Sequence, residues 1–140
     1  MDILDTMQIS GSGLTAERIR LQSVASNLAN ARTTRTSEGG PYQRRAPIFE
    51  AVSLDEFGDL LDRELSEVQV TEVKVASSAG RKVFDPAHPD ADAEGYVTYP
   101  DIDVLQEMVD MMTTSRAYEA NANVLDTTRD LAMRALEIGR

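Results

Sequence analysis

Residues 102–138 read IDVLQEMVDMMTTSRAYEANANVLDTTRDLAMRALEI, with no proline and no glycine. Most of these residues are good or tolerable helix formers. Asp101 or Asp103 can cap the start, and Gln106 stands three positions after Asp103, a variant of the capping box. Gly139 follows the last apolar residue as a stop signal. An unbroken helix over this stretch is about 55 Å long at 1.5 Å per residue. That exceeds the diameter of a 140-residue globule, so the helix must project or join an assembly. Its apolar residues recur every seven positions at Ala117, Val124, Leu131 and Ile138, with an earlier stripe at Leu105, Met108 and Met112. The positions between are small or polar: Ala120, Asn121, Thr127, Thr128 and Ala135. Such a pattern predicts a narrow seam between closely spaced helices, not the broad stripe of a helix lying on a globular core.

The other end of the chain repeats the pattern. Met7, Leu14, Leu21 and Leu28 are spaced by seven, with Val24 and Ala31 beside them. Gly11 and Gly13 predict a break or bend near residues 10–13. Two such helices from opposite termini predict an antiparallel, coiled-coil-like pair. The alternative is two ordinary amphipathic helices folded onto the middle. Asn27, Asn30, Asn121 and Asn123 read either as exposed polar surface or as seam residues that set register.

The middle has a different composition. All five prolines and six of the seven aromatic residues lie between positions 41 and 100. Net charge is −1 over residues 1–31, +3 over 32–47, −10 over 48–103 and −2 over 104–140. Near-neutral ends can pack against copies of themselves with little repulsion. Residues 44–52 read as an edge strand, because Pro47 excludes a central one. Val68, Val70, Val73 and Val75 alternate with a slip at Thr71-Glu72, the mark of a bulge. Residues 81–84 and 96–99 read as short strands, and 53–65 as a short helix opened by Ser53-Leu-Asp-Glu56. The fold class is therefore α+β. A terminal helical domain (1–33 and 102–140) carries a small β-rich middle region (34–101).

Composition removes several function classes. With no cysteine there is no disulfide framework, thiolate zinc site or thiol nucleophile. A single histidine, His88, cannot build a multi-histidine metal centre. The acidic balance argues against nucleic acid, and no apolar run is long enough to insert in a membrane. Met1-Asp-Ile-Leu-Asp lacks the basic start of a Sec-type signal. Starting at Asp90, acids at positions 1, 3, 5 and 12 with Gly95 at position 6 approximate a calcium loop. Pro89 and Pro100 stand where its flanking helices belong, so the segment reads better as an acidic turn before a strand. Arg32, Arg35, Arg44 and Arg45 form a basic cluster, read either as a solvated loop or as a partner for acids of a neighbouring chain. No pair of carboxylates is spaced for acid–base work, no catalytic residue or cofactor is expected, and the chain does not read as an enzyme.

Several motifs occur together. GLTAERIRLQSVASNLANA at 13–31 and EMVDMMTTSRAYEAN at 107–121 resemble the terminal signatures of the flagellar rod and hook axial proteins. EGGPY at 38–42, DPAHPDADAEGYV at 85–97, ALEIGR at 135–140 and the short length resemble the proximal-rod members of that family. The resemblance implies a structural rod subunit of the bacterial flagellum, part of the drive shaft between membrane ring and hook. It implies export through the flagellar type III apparatus without a Sec signal. Its partners would be copies of itself, other rod proteins and the membrane-ring or rod-base proteins. Leu14, Leu21, Val24, Leu28, Met108, Met112, Val124 and Leu131 are expected in the assembly interface. Asn27, Asn30, Arg116, Tyr118 and Asn121 carry over from the motifs as further contacts. The competing readings are a soluble coiled-coil adaptor or chaperone that does not polymerise, and a calcium-regulated module.

Overall fold

Six elements follow one another in the computed structural model, which describes residues 3–54 and 65–138: α1 (Ile3–Ala29), β1 (Arg45–Ser53), β2 (Ser66–Val75), β3 (Arg81–Phe84), β4 (Tyr96–Tyr99) and α2 (Val104–Ile138). The expected α+β arrangement is present. Most of the expected 53–65 helix lies outside the described residues. Where it would begin, Leu54 N–H donates to Leu65 C=O at 3.0 Å and continues the β1–β2 ladder.

Asp103 caps α2, its Oδ1 accepting from the N–H of Leu105 at 2.9 Å and of Gln106 at 3.3 Å. The cap is one-sided, because the Gln106 amide donates forward to Asp110. The helix is about 52 Å long, and α1 about 40 Å. The two run antiparallel: Asn27 meets Glu107, and two heptads along in each helix Gly13 meets Asn121. The break expected at residues 10–13 is absent, since α1 continues through both glycines. A methyl group at Gly13 would sit 3.0 Å from the Asn121 amide. The glycine therefore serves close helix approach, and packing overrides its low helix propensity.

What lies between the helices differs from the apolar seam expected. Glu107, Thr114 and Thr128 are the buried residues of α2, and Ser10, Ala16, Ser23, Val24 and Asn27 those of α1. The seven-residue spacing persists, but on α2 it is the row containing Glu107, Thr114, Asn121 and Thr128 that turns inward. The large apolar residues, which belong to other rows, are exposed: Leu105 is 72% exposed, Met112 65% and Leu131 57%.

β1 and β2 form an antiparallel hairpin along α1, where the Ser12 hydroxyl accepts from Val68 N–H and the Gln8 amide donates to Glu67. Ile48 pairs with Glu72 and Phe49 with Val70, leaving Thr71 as the extra residue of a bulge where the valine alternation slips. β3 and β4 form a second antiparallel hairpin in the expected register. Gly80 enters it at φ +75°, against the Tyr99 carbonyl.

Among the described residues the buried hydrophobic set is Ala16, Val24, Tyr42 and Val97. Accessible surface is 10095 Å², against about 7200 Å² for a compact monomer of 15.4 kDa. The single chain leaves apolar surface open that a self-sufficient domain of this size would cover. The two glycine environments give opposite expectations for stability. Gly11→Ala, in open helix, should stabilise the chain by about 0.5–1 kcal/mol. Gly80→Ala should destabilise it by at least about 1 kcal/mol, because its Cβ would lie 2.6 Å from Tyr99 O at positive φ. Thermal unfolding followed by circular dichroism checks both signs.

Candidate assembly interface

Asn27 organises the junction of helices and middle region. It is 0% exposed and, two heptads after Gly13 on the same row of α1, stands opposite Glu107. Its Nδ2 donates to Arg45 C=O at 2.9 Å and to Glu107 Oε2 at 3.0 Å. Its Oδ1 accepts from Arg45 N–H at 2.9 Å and from the Tyr42 hydroxyl at 3.1 Å. Two donors and two acceptor sites are the full capacity of an amide side chain, and all four are used. Tyr42 and Ser26 share a further hydrogen bond at 3.0 Å. Glu107, 1% exposed, also accepts from Arg44 Nε at 2.6 Å. α1, α2 and the start of β1 are thus tied at one buried point.

Val24 is buried, and Leu14, Leu21, Leu28, Asn30 and Asn121 are half-buried. Asn30 finishes α1, donating to Ser26 C=O and accepting from the Thr33 hydroxyl. Met108, Met112, Arg116, Tyr118, Val124 and Leu131 are exposed along α2. In the single chain, therefore, the expected interface residues divide between the inner contact of the helix pair and an open outer face. Glu17 adds one detail: its Oε2 is buried with no hydrogen-bond partner among the described residues.

The basic cluster needs correcting. Arg44 pairs with Glu107 and, at 3.8 Å, with Asp110. Arg35 lies 3.8 Å from Asp90, and Arg45 lies over the Tyr42 ring. Three of the four arginines thus have partners in their own chain. The acidic loop behaves as a turn. Asp92 Oδ1 accepts from the N–H groups of Glu94 and Tyr96, Asp85 from Ala87 N–H, and Asp90 from the Thr34 hydroxyl. Among the described residues no three metal-ligating side chains are grouped for a metal ion.

Sequence reasoning missed Tyr42, Arg44 and Glu107 as a unit. One signal was available: Glu107, Thr114, Asn121 and Thr128 form their own seven-residue row. The bulkier neighbouring row masked it.

Comparison with known proteins addresses what this open helix pair belongs to. Residues 7–35 match the family model described as flagella basal body rod protein, and residues 93–138 the one described as flagellar basal body rod FlgEFG protein C-terminal. Over its whole length the chain is 38% identical to the whole flagellar basal-body rod protein FlgC of Bacillus subtilis. The chain belongs to the FlgC family. The FlgC of Aquifex aeolicus is 42% identical, covering 98% of this chain and 97% of that protein. That of Salmonella typhimurium is 35% identical over the whole of both. As an FlgC-family member the chain is a structural subunit of the proximal rod, located in the flagellar basal body, and assembles with other basal-body components. Neither described helix is long and apolar enough to cross a membrane.

Replacing Asn27 tests the junction. Asn27→Ala removes one hydrogen bond each from Glu107, Tyr42 and the two backbone groups of Arg45. It should cost about 2–4 kcal/mol, whereas Asn123→Ala, on exposed helix surface, should stay within about 0.5 kcal/mol. Urea unfolding of the two variants reads the difference.

Proposed function

We propose that this FlgC-family chain builds the rod by burying the outer face of α2, with the open side of α1, against neighbouring subunits. The observation that carries this reading is the set of exposed large apolar residues Leu105, Met108, Met112, Val124 and Leu131 on a folded helix. Each of these half-exposed side chains gains about 1 kcal/mol on being covered, roughly half the value for full burial. Many such contacts along a tube transmit torque without any single strong site. The neighbours are copies of this chain, other rod proteins and, at the base, membrane-ring proteins. Leu14, Leu21, Val24, Asn27 and Leu28 hold the pair in the shape those neighbours recognise, while Arg116, Tyr118 and Asn121 add polar and aromatic contacts. The β hairpins stand outside the helical tube.

The role is mechanical and involves no catalysis. A chain whose apolar helix faces close only on assembly suits passage through the type III export apparatus in an unfolded state. A non-polymerising adaptor would have to leave this face uncovered or close it in a finite dimer, and the near-neutral outer rows favour repeated packing.

Val124→Asp and Leu131→Asp separate folding from assembly. Both positions are exposed in the folded chain, so circular dichroism and urea midpoints should shift by no more than about 0.5 kcal/mol. Basal bodies from cells carrying either variant should lack a complete rod, and the cells should not swim. Normal swimming would contradict the reading.

A further inference from the structure

On the side of the molecule away from the β1–β2 tip, a cleft of about 360 Å³ opens between the end of α1, the β3–β4 hairpin and the start of α2. Its apolar wall includes Val83, Tyr99, Ile102 and Val104, and two arginines, Arg32 and Arg81, line it as well. Neither arginine has an ion-pair partner among the described residues, whereas Arg35 and Arg44 both do. The cleft therefore combines apolar surface with two positive charges that no ion pair compensates among the described residues.

One stretch of this chain has the complementary chemistry. Residues 54–65, LDEFGDLLDREL, carry five acids and one arginine around Phe57, Leu60 and Leu61. This segment joins β1 to β2 and cannot reach the cleft of its own chain. Its ends, Leu54 and Leu65, are held together by a backbone hydrogen bond. They lie beyond Val68, which is fixed to Ser12. The cleft begins at Ala31, about 28 Å further along α1 by the helical rise. Residues 55–64, anchored at both ends, can extend at most about 18 Å.

We propose that the 54–65 segment of one copy docks in the Arg32–Arg81 cleft of a second copy. The proposal rests on the assembly reading above and adds a second contact outside the helices. It is a head-to-tail contact between two different surfaces, the kind that propagates into an open helical array instead of closing a dimer. Charge pairing steers the approach, and the apolar side chains fill the wall.

Two measurements test it. The first adds a labelled peptide of residues 53–66 to the purified full chain and follows fluorescence anisotropy. The expected result is saturable binding that weakens at least about tenfold at high salt and at least about tenfold in the Arg32→Glu/Arg81→Glu variant. No saturation up to about 1 mM peptide, or equal binding by the charge-reversed variant, overturns the proposal. The second uses the absence of native cysteine. Cells produce two chains, one carrying Leu61→Cys and one Val83→Cys, and isolated basal bodies are oxidised. A disulfide-linked dimer that requires both chains is expected. Complete rods without that dimer overturn the docking contact and leave the helix reading standing. Loss of swimming in Val124→Asp with no peptide binding sinks this proposal alone, and normal swimming in Val124→Asp sinks the helix reading.

Discussion

The four hydrogen bonds of Asn27 are the constraint on which the rest of the structure depends. An amide side chain in a buried site is tolerable only when its donors and acceptor sites are all used. Here that condition is met by three separate parts of the chain: Tyr42 in the connecting loop, the backbone of Arg45 at the start of β1, and Glu107 in the first turns of α2. Satisfying Asn27 therefore fixes the register of the helix pair and the point from which the middle region departs. Glu107 in turn is buried only because Arg44 and Asn27 meet its carboxylate. A polar knot of this kind gives specificity of arrangement more than net stability. That suits a subunit whose larger apolar side chains stay exposed in the single chain.

From that fixed register the division of labour on α2 follows. The inward row is small and polar, so the helices approach closely but bury little apolar area. The large apolar residues lie on other rows and are exposed, so the area missing from the monomer core stays open. The accessible surface, well above that of a compact chain of this mass, measures the same imbalance. Membership of the FlgC family places the chain in an assembly, the flagellar basal-body rod, in which the proposed contacts would cover such a surface.

Much of this was legible in the sequence because it rests on short-range rules. The absence of proline and glycine, the Asp103 cap and the stop at Gly139 outline α2 to within two residues at its start. The valine alternation and its slip locate the β1–β2 bulge at Thr71. What was not legible depends on which heptad row faces which way. Periodicity reveals that a helix has a seam. It does not distinguish a seam inside one chain from a seam between chains, and the bulky row drew the assignment to itself. Gly13 misled for a related reason: its low intrinsic propensity is a local property, and its contact with Asn121 is a tertiary one. The Arg44–Glu107 pair joins positions 63 residues apart, and no local pattern connects them.

The claim that the core of the terminal helices is shared between chains is tested most directly by thiol labelling at one outward position. A Leu131→Cys chain carries a single cysteine on the open face of α2. Its reaction with a maleimide should be fast in the free subunit and slower by at least about tenfold in isolated basal bodies. Equal labelling rates in the two states would mean that the outer face stays open in the rod, and would contradict the account.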